Sequence, residues 1–253
     1  MTPPKTVAVV GFKDSGKTRV VEALVGELTR RGYRVGTLKH TAENIEFDTP
    51  GKDTARHREA GAVATAILRQ DAAAFFIDGH VPISDAARAL GDLDILIIEG
   101  FKTVDTHARI LVPREDDDIP KLRNGLEIAV VKIHGSMFMG DTDLPVVNLA
   151  NAEALADIVE EKAYPMLPGV NCHGCGYEDC RSLGEAILKG EADAKQCVRN
   201  SVEFTLRVND EPVPLGGFVQ RAFKGMLLGF LRSLKGVGSP RRVEIIFEVE
   251  DDE

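Results

Sequence analysis

The chain has 253 residues, 43% hydrophobic and 28% charged, enough apolar material for one large core or a medium core beside a small one. Its net charge of −9 comes without a basic stripe, which argues against nucleic acid as a partner. The acidity gathers in Glu115–Asp118 and Glu248–Glu253, both read as solvated surface. No run reaches the roughly 18 apolar residues of a membrane span. The opening MTPPKTVAVVG lacks a signal-peptide pattern, so a cytoplasmic protein is expected.

Short apolar runs alternate with helical periodicity up to about residue 163. Thr6–Val10 reads as a buried strand, and residues 17–31 as a helix with Val20, Val21, Leu24 and Leu28 on one face and Gly32 at its C-terminal cap. Val35–Lys39 is a second strand, 52–61 a short helix, and Val63–Leu68 and Ala73–Ile77 two more strands. Ser84 is placed to cap a helix through Leu90. Ile95–Ile98, Arg109–Val112, Ile128–Lys132 and Val146–Leu149 complete the strands, and Asn151 caps a helix that turns Leu155, Ile158 and Val159 inward. Strands interleaved with helices predict an α/β fold, a mostly parallel sheet covered on both faces. The Pro- and Gly-rich YPMLPGVN, residues 164–171, marks the expected boundary. Beyond the cysteines, Val202–Val208 alternates, Asn209–Asp210 turns, Phe218–Leu234 is helical and Val243–Val249 alternates again, which predicts a small α+β unit. The expected organisation is therefore 1–163, 164–200 and 201–253.

GFKDSGKT, Gly11–Thr18, fits G-x-x-x-x-G-K-[ST] and sits between a predicted strand and a predicted helix, the setting a phosphate-binding loop requires. Gly11 and Gly16 let the backbone turn its amides toward phosphate oxygens around Phe12, Lys13, Asp14 and Ser15, and the helix N-terminus adds positive potential. Lys17 reaches the β- and γ-phosphates and the Thr18 hydroxyl ligates Mg²⁺. Lys13 does not match the extra lysine of the deviant Walker-A ATPases, and a solvated lysine is its plainer role.

Such a loop needs an acid near the metal. In LDILIIEGFK the apolar run ends in Glu99, whereas Asp94 starts the same strand about 16 Å away. Glu99 is therefore the candidate, and Lys102 stands close enough to pair with it or with phosphate. The polar segment 39–62, with His40, Asp48, Lys52, Asp53, Arg56 and His57, leaves the second strand at the same edge. It is read either as a switch that senses the γ-phosphate or as an ordinary exposed loop with a helix cap at Asp53.

GFKDSGKT, the KHT after the second strand, DTPGKDTARHREAGA, IIEGFK and DLPVVNLANAEALAD together resemble the molybdopterin-guanine dinucleotide biosynthesis protein B (MobB) family, over about residues 5–163. That resemblance implies a P-loop fold of the SIMIBI class, usually dimeric, that binds GTP and Mg²⁺ and hydrolyses weakly. It implies a role beside a MobA-like nucleotidyltransferase that attaches GMP to molybdopterin for a molybdenum or tungsten enzyme. Carried over by motif, Gly11, Gly16, Lys17 and Thr18 bind phosphate and magnesium, while His40, Asp48 and Glu99 fall near the γ-phosphate. Lys17, Glu99 and Asp48 are the catalytic candidates. No N-K-x-D motif reads guanine, and VVKIHG at 130–135 does not supply one, so guanine specificity comes from the resemblance and ATP stays open.

The four cysteines, Cys172, Cys175, Cys180 and Cys197, are spaced C-x2-C-x4-C-x16-C. A disulfide framework does not suit this cluster or compartment. Four thiolates hold either a tetrahedral Zn²⁺ or an iron–sulfur cluster. Gly174 and Gly176 free the backbone around the sulfurs, and a helix over about 181–189, ended by Gly190, returns the chain to Cys197. CHGCGYEDC resembles the start of the 4Fe-4S module of Rnf-type electron-transfer subunits and corrinoid iron–sulfur proteins, which makes a 4Fe-4S cluster the expectation and zinc the alternative. His173 reads as a surface histidine. The cluster is expected to be structural or redox-sensing. Two other readings are a maturation NTPase for a different metal centre and a non-catalytic, nucleotide-gated adapter.

Overall fold

In the computed structural model, residues 3–41, 48–49, 51–140, 142–199, 206–209, 211–213, 217–235, 243 and 245 are described. The chain divides into two compact units, 1–200 and 201–253.

The first unit runs β1 (Lys5–Val10), α1 (Lys17–Arg30), β2 (Val35–Lys39), α2 (Asp53–Glu59), β3 (Ala64–Leu68), β4 (Ala73–Ile77), α3 (Ile83–Ala89), β5 (Ile95–Glu99), β6 (Ala108–Leu111), α4 (Asp118–Leu122), β7 (Glu127–Lys132), β8 (Val146–Asn148), α5 (Ala152–Lys162), β9 (Tyr164–Pro165) and α6 (Cys180–Leu188). Six strands lie parallel in the order β2-β5-β1-β6-β7-β8. The central strands are buried on both faces, and that is why their sequences are continuous apolar runs with no polar alternation. Val7, Val9, Ile95, Ile97 and Ile110 pack with Val20, Leu24 and Leu28 of α1 and Leu155 and Val159 of α5. Ala8, Val10, Leu96, Ile98 and Leu111 pack on the other face with Ile119 and Leu122 of α4 and Phe138. Each fully buried Leu or Ile contributes about 1.5–3 kcal/mol.

Local chemistry explains most boundaries. Gly32, at φ 91°, closes α1 while Tyr33 N donates to Leu28 O (3.1 Å) and Gly32 N to Thr29 O (2.9 Å). Asn151 accepts from Ala154 N (3.1 Å) at the start of α5. The cap expected at Ser84 is corrected: Pro82 is the N-cap of α3, and Ser84 lies in the first turn. Proline's fixed φ and missing N–H suit a helix entrance and shift it upstream. The acidic run 115–118 is not all solvated. Asp118 is 1% exposed and accepts from Arg114 through backbone N (3.0 Å) and Nε (3.1 Å).

The segment 164–171 holds strand as well as turn. Tyr164 and Pro165 pair antiparallel with Thr6 and Lys5 at the start of β1, below the point where β6 begins. Leu167 N then donates to Thr106 O (2.8 Å). Tyr164, Leu167, Cys180, Leu183 and Cys197 belong to the same apolar cluster as β1 and α1, so the cysteine segment is built onto the core of the first unit. β3 and β4 stand off the main sheet as an antiparallel hairpin.

The second unit contains the hairpin β10 (Leu206–Val208) and β11 (Glu211–Val213), followed by α7 (Gly217–Ser233). Of the strand expected over 243–249, only Val243 and Ile245 are described and neither is in a strand; its other residues lie outside the described set. Residues 42–47 and Pro50 of the expected switch segment also lie outside it.

Candidate functional site

The loop Gly11–Thr18 leaves β1 and turns directly into α1, whose N-cap is Gly16 at φ 88°. Both motif glycines are needed for space. A Cβ on Gly11 would stand 2.4 Å from Ser15 Oγ and 2.5 Å from Val112 O, and one on Gly16 would stand 2.4 Å from Ile133 Cδ1. Asp14 takes the left-handed conformation at φ 60°, and Ser15 N closes the turn onto Phe12 O (3.3 Å). Ser15 Oγ is buried without a hydrogen-bond partner. Lys17 folds back so that Nζ donates to Phe12 O at 2.6 Å. Burial lowers the Lys17 pKa below the ordinary lysine value; Glu99 opposes that shift, and the nearby Lys102 and Lys39 reinforce it.

Glu99 ends β5 with 9% exposure and meets the loop directly: Thr18 Oγ1 donates to Glu99 Oε1 at 3.0 Å. Lys39, its register partner at the end of β2, places Nζ 3.1 Å from the same oxygen. Asp94 lies at the other end of β5, accepting from Arg34 N (2.7 Å). His40 N donates to Glu99 O (2.9 Å), and the His40 ring stacks on Phe101 with centroids 4.2 Å apart. Gly100 (φ 99°) and Phe101 (φ 53°) bend the chain sharply after Glu99. Thr18, Lys39, His40 and Glu99 therefore converge on the head of α1.

Asp48 belongs to a different arrangement. Its carboxylate lies 3.5 Å from Arg58 of α2, which also pairs with Asp78 (3.3 Å) and stands over the Phe76 ring (5.3 Å). Asp48 Oδ2 is buried without a hydrogen bond. Lys39 escaped the reading of the motif; its place at the C-terminal end of β2, beside β5, was the available signal.

None of the four cysteines is in a disulfide, and all four line one cavity together with Asn171, His173 and Asp179. Cys180 and Cys197 are buried, Cys175 is half-buried and Cys172 exposed. Asn171 (φ 44°) and His173 (φ 55°) give the cysteine loop its tight path, and Asn171 Oδ1 accepts from Cys180 N at 2.9 Å. Asp179 caps α6 by accepting from Ser182 N (2.6 Å), so the helix presents its positive end at Cys180. A Cβ on Gly174 would stand 2.7 Å from Val198. A Cβ on Gly184 would stand 2.6 Å from Tyr164 Oη and 2.9 Å from Leu126, so glycine lets α6 lie against the sheet. Among the described residues, no group of three or more His, Cys, Asp or Glu side chains is drawn together as for a single metal ion.

The fold and this site define a P-loop nucleotide-binding α/β protein. The model of the molybdopterin guanine dinucleotide synthesis protein B family matches residues 6–133, and the chain belongs to that MobB family. A second family model, for a proposed Fe-S cluster domain, matches residues 167–199. A Methanocaldococcus jannaschii protein, provisionally named a molybdopterin-guanine dinucleotide biosynthesis adapter protein, is 29% identical over 97% of this chain and 98% of its own. A component of an ion-translocating oxidoreductase complex from Thiobacillus denitrificans is 41% identical over 59 residues, 22% of this chain and 31% of its own. The crystal structure of Bacillus subtilis MobB superposes with a TM-score of 0.53 at 26% identity, over 62% of this chain and 96% of that one. No helix among the described residues is long and apolar enough to cross a membrane.

Proposed function

We propose that this protein is a cytoplasmic adapter that binds GTP and magnesium, hydrolyses the nucleotide weakly and assists a MobA-like nucleotidyltransferase in attaching GMP to molybdopterin. The observation that carries this reading is the 3.0 Å bond between Thr18 and Glu99 at the head of α1. A hydroxyl and a buried carboxylate, joined where a phosphate loop opens a helix, form the donor set a magnesium ion requires. Bound magnesium supplies charge neutralisation between phosphate oxygens. Lys17 exchanges the Phe12 carbonyl for a phosphate oxygen, Glu99 orients water or metal, and Gly11–Ser15 wrap the phosphate with backbone amides. For Asp48, paired with Arg58 through its buried oxygen, a role near the γ-phosphate rests on the family resemblance.

The cysteine segment is assigned a 4Fe-4S cluster of structural or redox-sensing role. Four sulfurs on one zinc crowd to about 3.8 Å, given bonds of about 2.3 Å in a tetrahedron. Four thiols around a common cavity, inside the stretch matched by the Fe-S cluster family model, support the cluster. On this reading residues 1–163 hold the nucleotide site, 164–200 the cluster and 201–253 a separate α+β unit.

A homodimer is assigned to the β3–β4 hairpin. Val63, Ile67, Leu68, Phe75 and Ile77 are all exposed there. A two-stranded ribbon with such an apolar surface is marginal until something covers it.

The deciding assay supplies molybdopterin, GTP and a MobA-like enzyme with and without the protein. A higher yield of guanine dinucleotide is expected with it. An unchanged yield, or equal help from the Lys17→Ala variant, would sink the reading.

A further inference from the structure

Two cations share one aromatic ring at the edge of the P-loop. Lys102 Nζ lies 4.4 Å and the Arg114 guanidinium carbon 5.0 Å from the ring centroid of Phe12, the residue after the first motif glycine. The main-chain carbonyl of the same Phe12 accepts from Lys17.

A buried carboxylate holds the Arg114 guanidinium, and a buried arginine holds the main chain of Lys102. Arg114 follows β6, whose exit carbonyl at Val112 abuts Gly11, and it is bound through Nε and backbone N to the fully buried Asp118. Lys102 rides on the turn after Glu99, where the buried Arg109 donates to Lys102 O (3.2 Å) and to Val104 O. With Lys17 and Lys39, four positive groups border the loop; of the carboxylates among them, Glu99 is taken by Lys39 and Thr18, Asp118 is taken by Arg114, and Asp14 of the loop acts on both Lys17 and Arg114. Cation–π attraction at a half-exposed ring is too weak to gather like charges by itself. Held together by buried partners, they complement an anion.

We propose that Lys102 and Arg114, spaced by the Phe12 ring, form a phosphate-binding position beside the P-loop that adds to the contacts Lys17 makes. This rests on the P-loop binding nucleotide. Two sources share that chemistry: the terminal phosphate of the bound nucleotide, and a phosphate ester on a second ligand presented to the adapter. Asp118 holds Nε and, at 3.4 Å, Nη2 of Arg114, so the arginine offers the oxyanion its Nη1 edge, and the lysine adds a point charge.

The test measures affinities of the full-length protein for GTP, for GDP and, once GDP-loaded, for inorganic phosphate. Lys102→Gln is chosen because that side chain is exposed and can be neutralised without unfolding; Arg114→Lys keeps a cation for Asp118 while removing the fork. If the source is the nucleotide, each variant weakens GTP about tenfold or more and leaves GDP unchanged. If the source is a second ligand, GTP and GDP are unchanged and phosphate binding to the GDP-loaded protein falls about tenfold or more. Affinities within twofold of wild type in all three titrations overturn the proposal, as does an equal loss of GTP and GDP, which would assign both residues to the P-loop's own phosphate. A wild-type protein that binds neither nucleotide overturns the P-loop reading, and this one with it.

Discussion

Thr18 and Glu99 stand 81 positions apart and are joined by a 3.0 Å hydrogen bond. The bond exists because β1 and β5 are parallel neighbours, with Val9 opposite Glu99, so the loop after one strand and the last residue of the other share an edge. Everything assigned to the nucleotide site is arranged around that pair.

Replacing Glu99 by Gln keeps the shape and removes the charge. Nucleotide affinity should stay within a few-fold of wild type, while turnover falls by on the order of 10² and magnesium binding to the nucleotide complex weakens. Phosphate release at saturating nucleotide, read against a magnesium titration, is the check. Undiminished turnover would favour the nucleotide-gated adapter that only changes shape.

Lys17→Ala separates the two sites. The variant should lose nucleotide binding, yet purify without oxygen with the same broad absorption near 400 nm and about four irons per chain, as four thiolate ligands imply. A colourless wild type carrying one zinc would instead make the cysteine segment a structural staple. Iron lost together with nucleotide would show that the two sites are not independent.

His107 gives a pH dependence with a definite sign. It is fully buried beside Arg109, and burial first, then that charge, lower its pKa from 6.5 to about 4. Thr106 Oγ1 lies 3.1 Å from its Nδ1. Between about pH 6.5 and pH 4 the unfolded chain binds a proton that the folded chain does not. Stability contributed by this group is therefore whole above pH 6.5 and lost as pH falls to about 4, with a total of about 3 kcal/mol. Denaturant unfolding of wild type and His107→Gln at pH 7 and pH 5 tests it; parallel losses in the two proteins would remove His107 as the cause.

Placing a charge on the hairpin should dissociate the protein. Phe75→Lys, at a side chain that is 66% exposed, is expected to yield a monomer with unchanged thermal stability per chain. Sedimentation at several concentrations reads this directly, and a dimer that persists in Phe75→Lys would put the interface elsewhere.

The elements that local chemistry controls were legible along the chain. Gly11 and Gly16 announce a loop that only glycine fits, the uninterrupted runs at Val7–Val10 and Ile95–Ile98 announce a sheet covered on both faces, and Gly32 and Asn151 announce helix ends. The misreadings occurred where a residue's environment comes from distant chain. Asp118 sits in an acidic run and reads as surface, but Arg114 and the packing of α4 bury it. The proline and glycine of YPMLPGVN mark a boundary, and nothing local in them announces that Tyr164 and Pro165 pair with the edge of β1 that β6 leaves unpaired.

By itself, the sequence determined the P-loop, its place between strand and helix, the acid at the end of β5 and the grouping of four cysteines, because each depends on residue types at short fixed spacings. Tertiary structure alone decided that Lys39 shares the oxygen of Glu99 with Thr18, that Arg114 and Lys102 meet over Phe12, and that the cysteine segment packs into the same core as the nucleotide fold. Those relations depend on strand order and register, which side-chain periodicity along one strand does not specify.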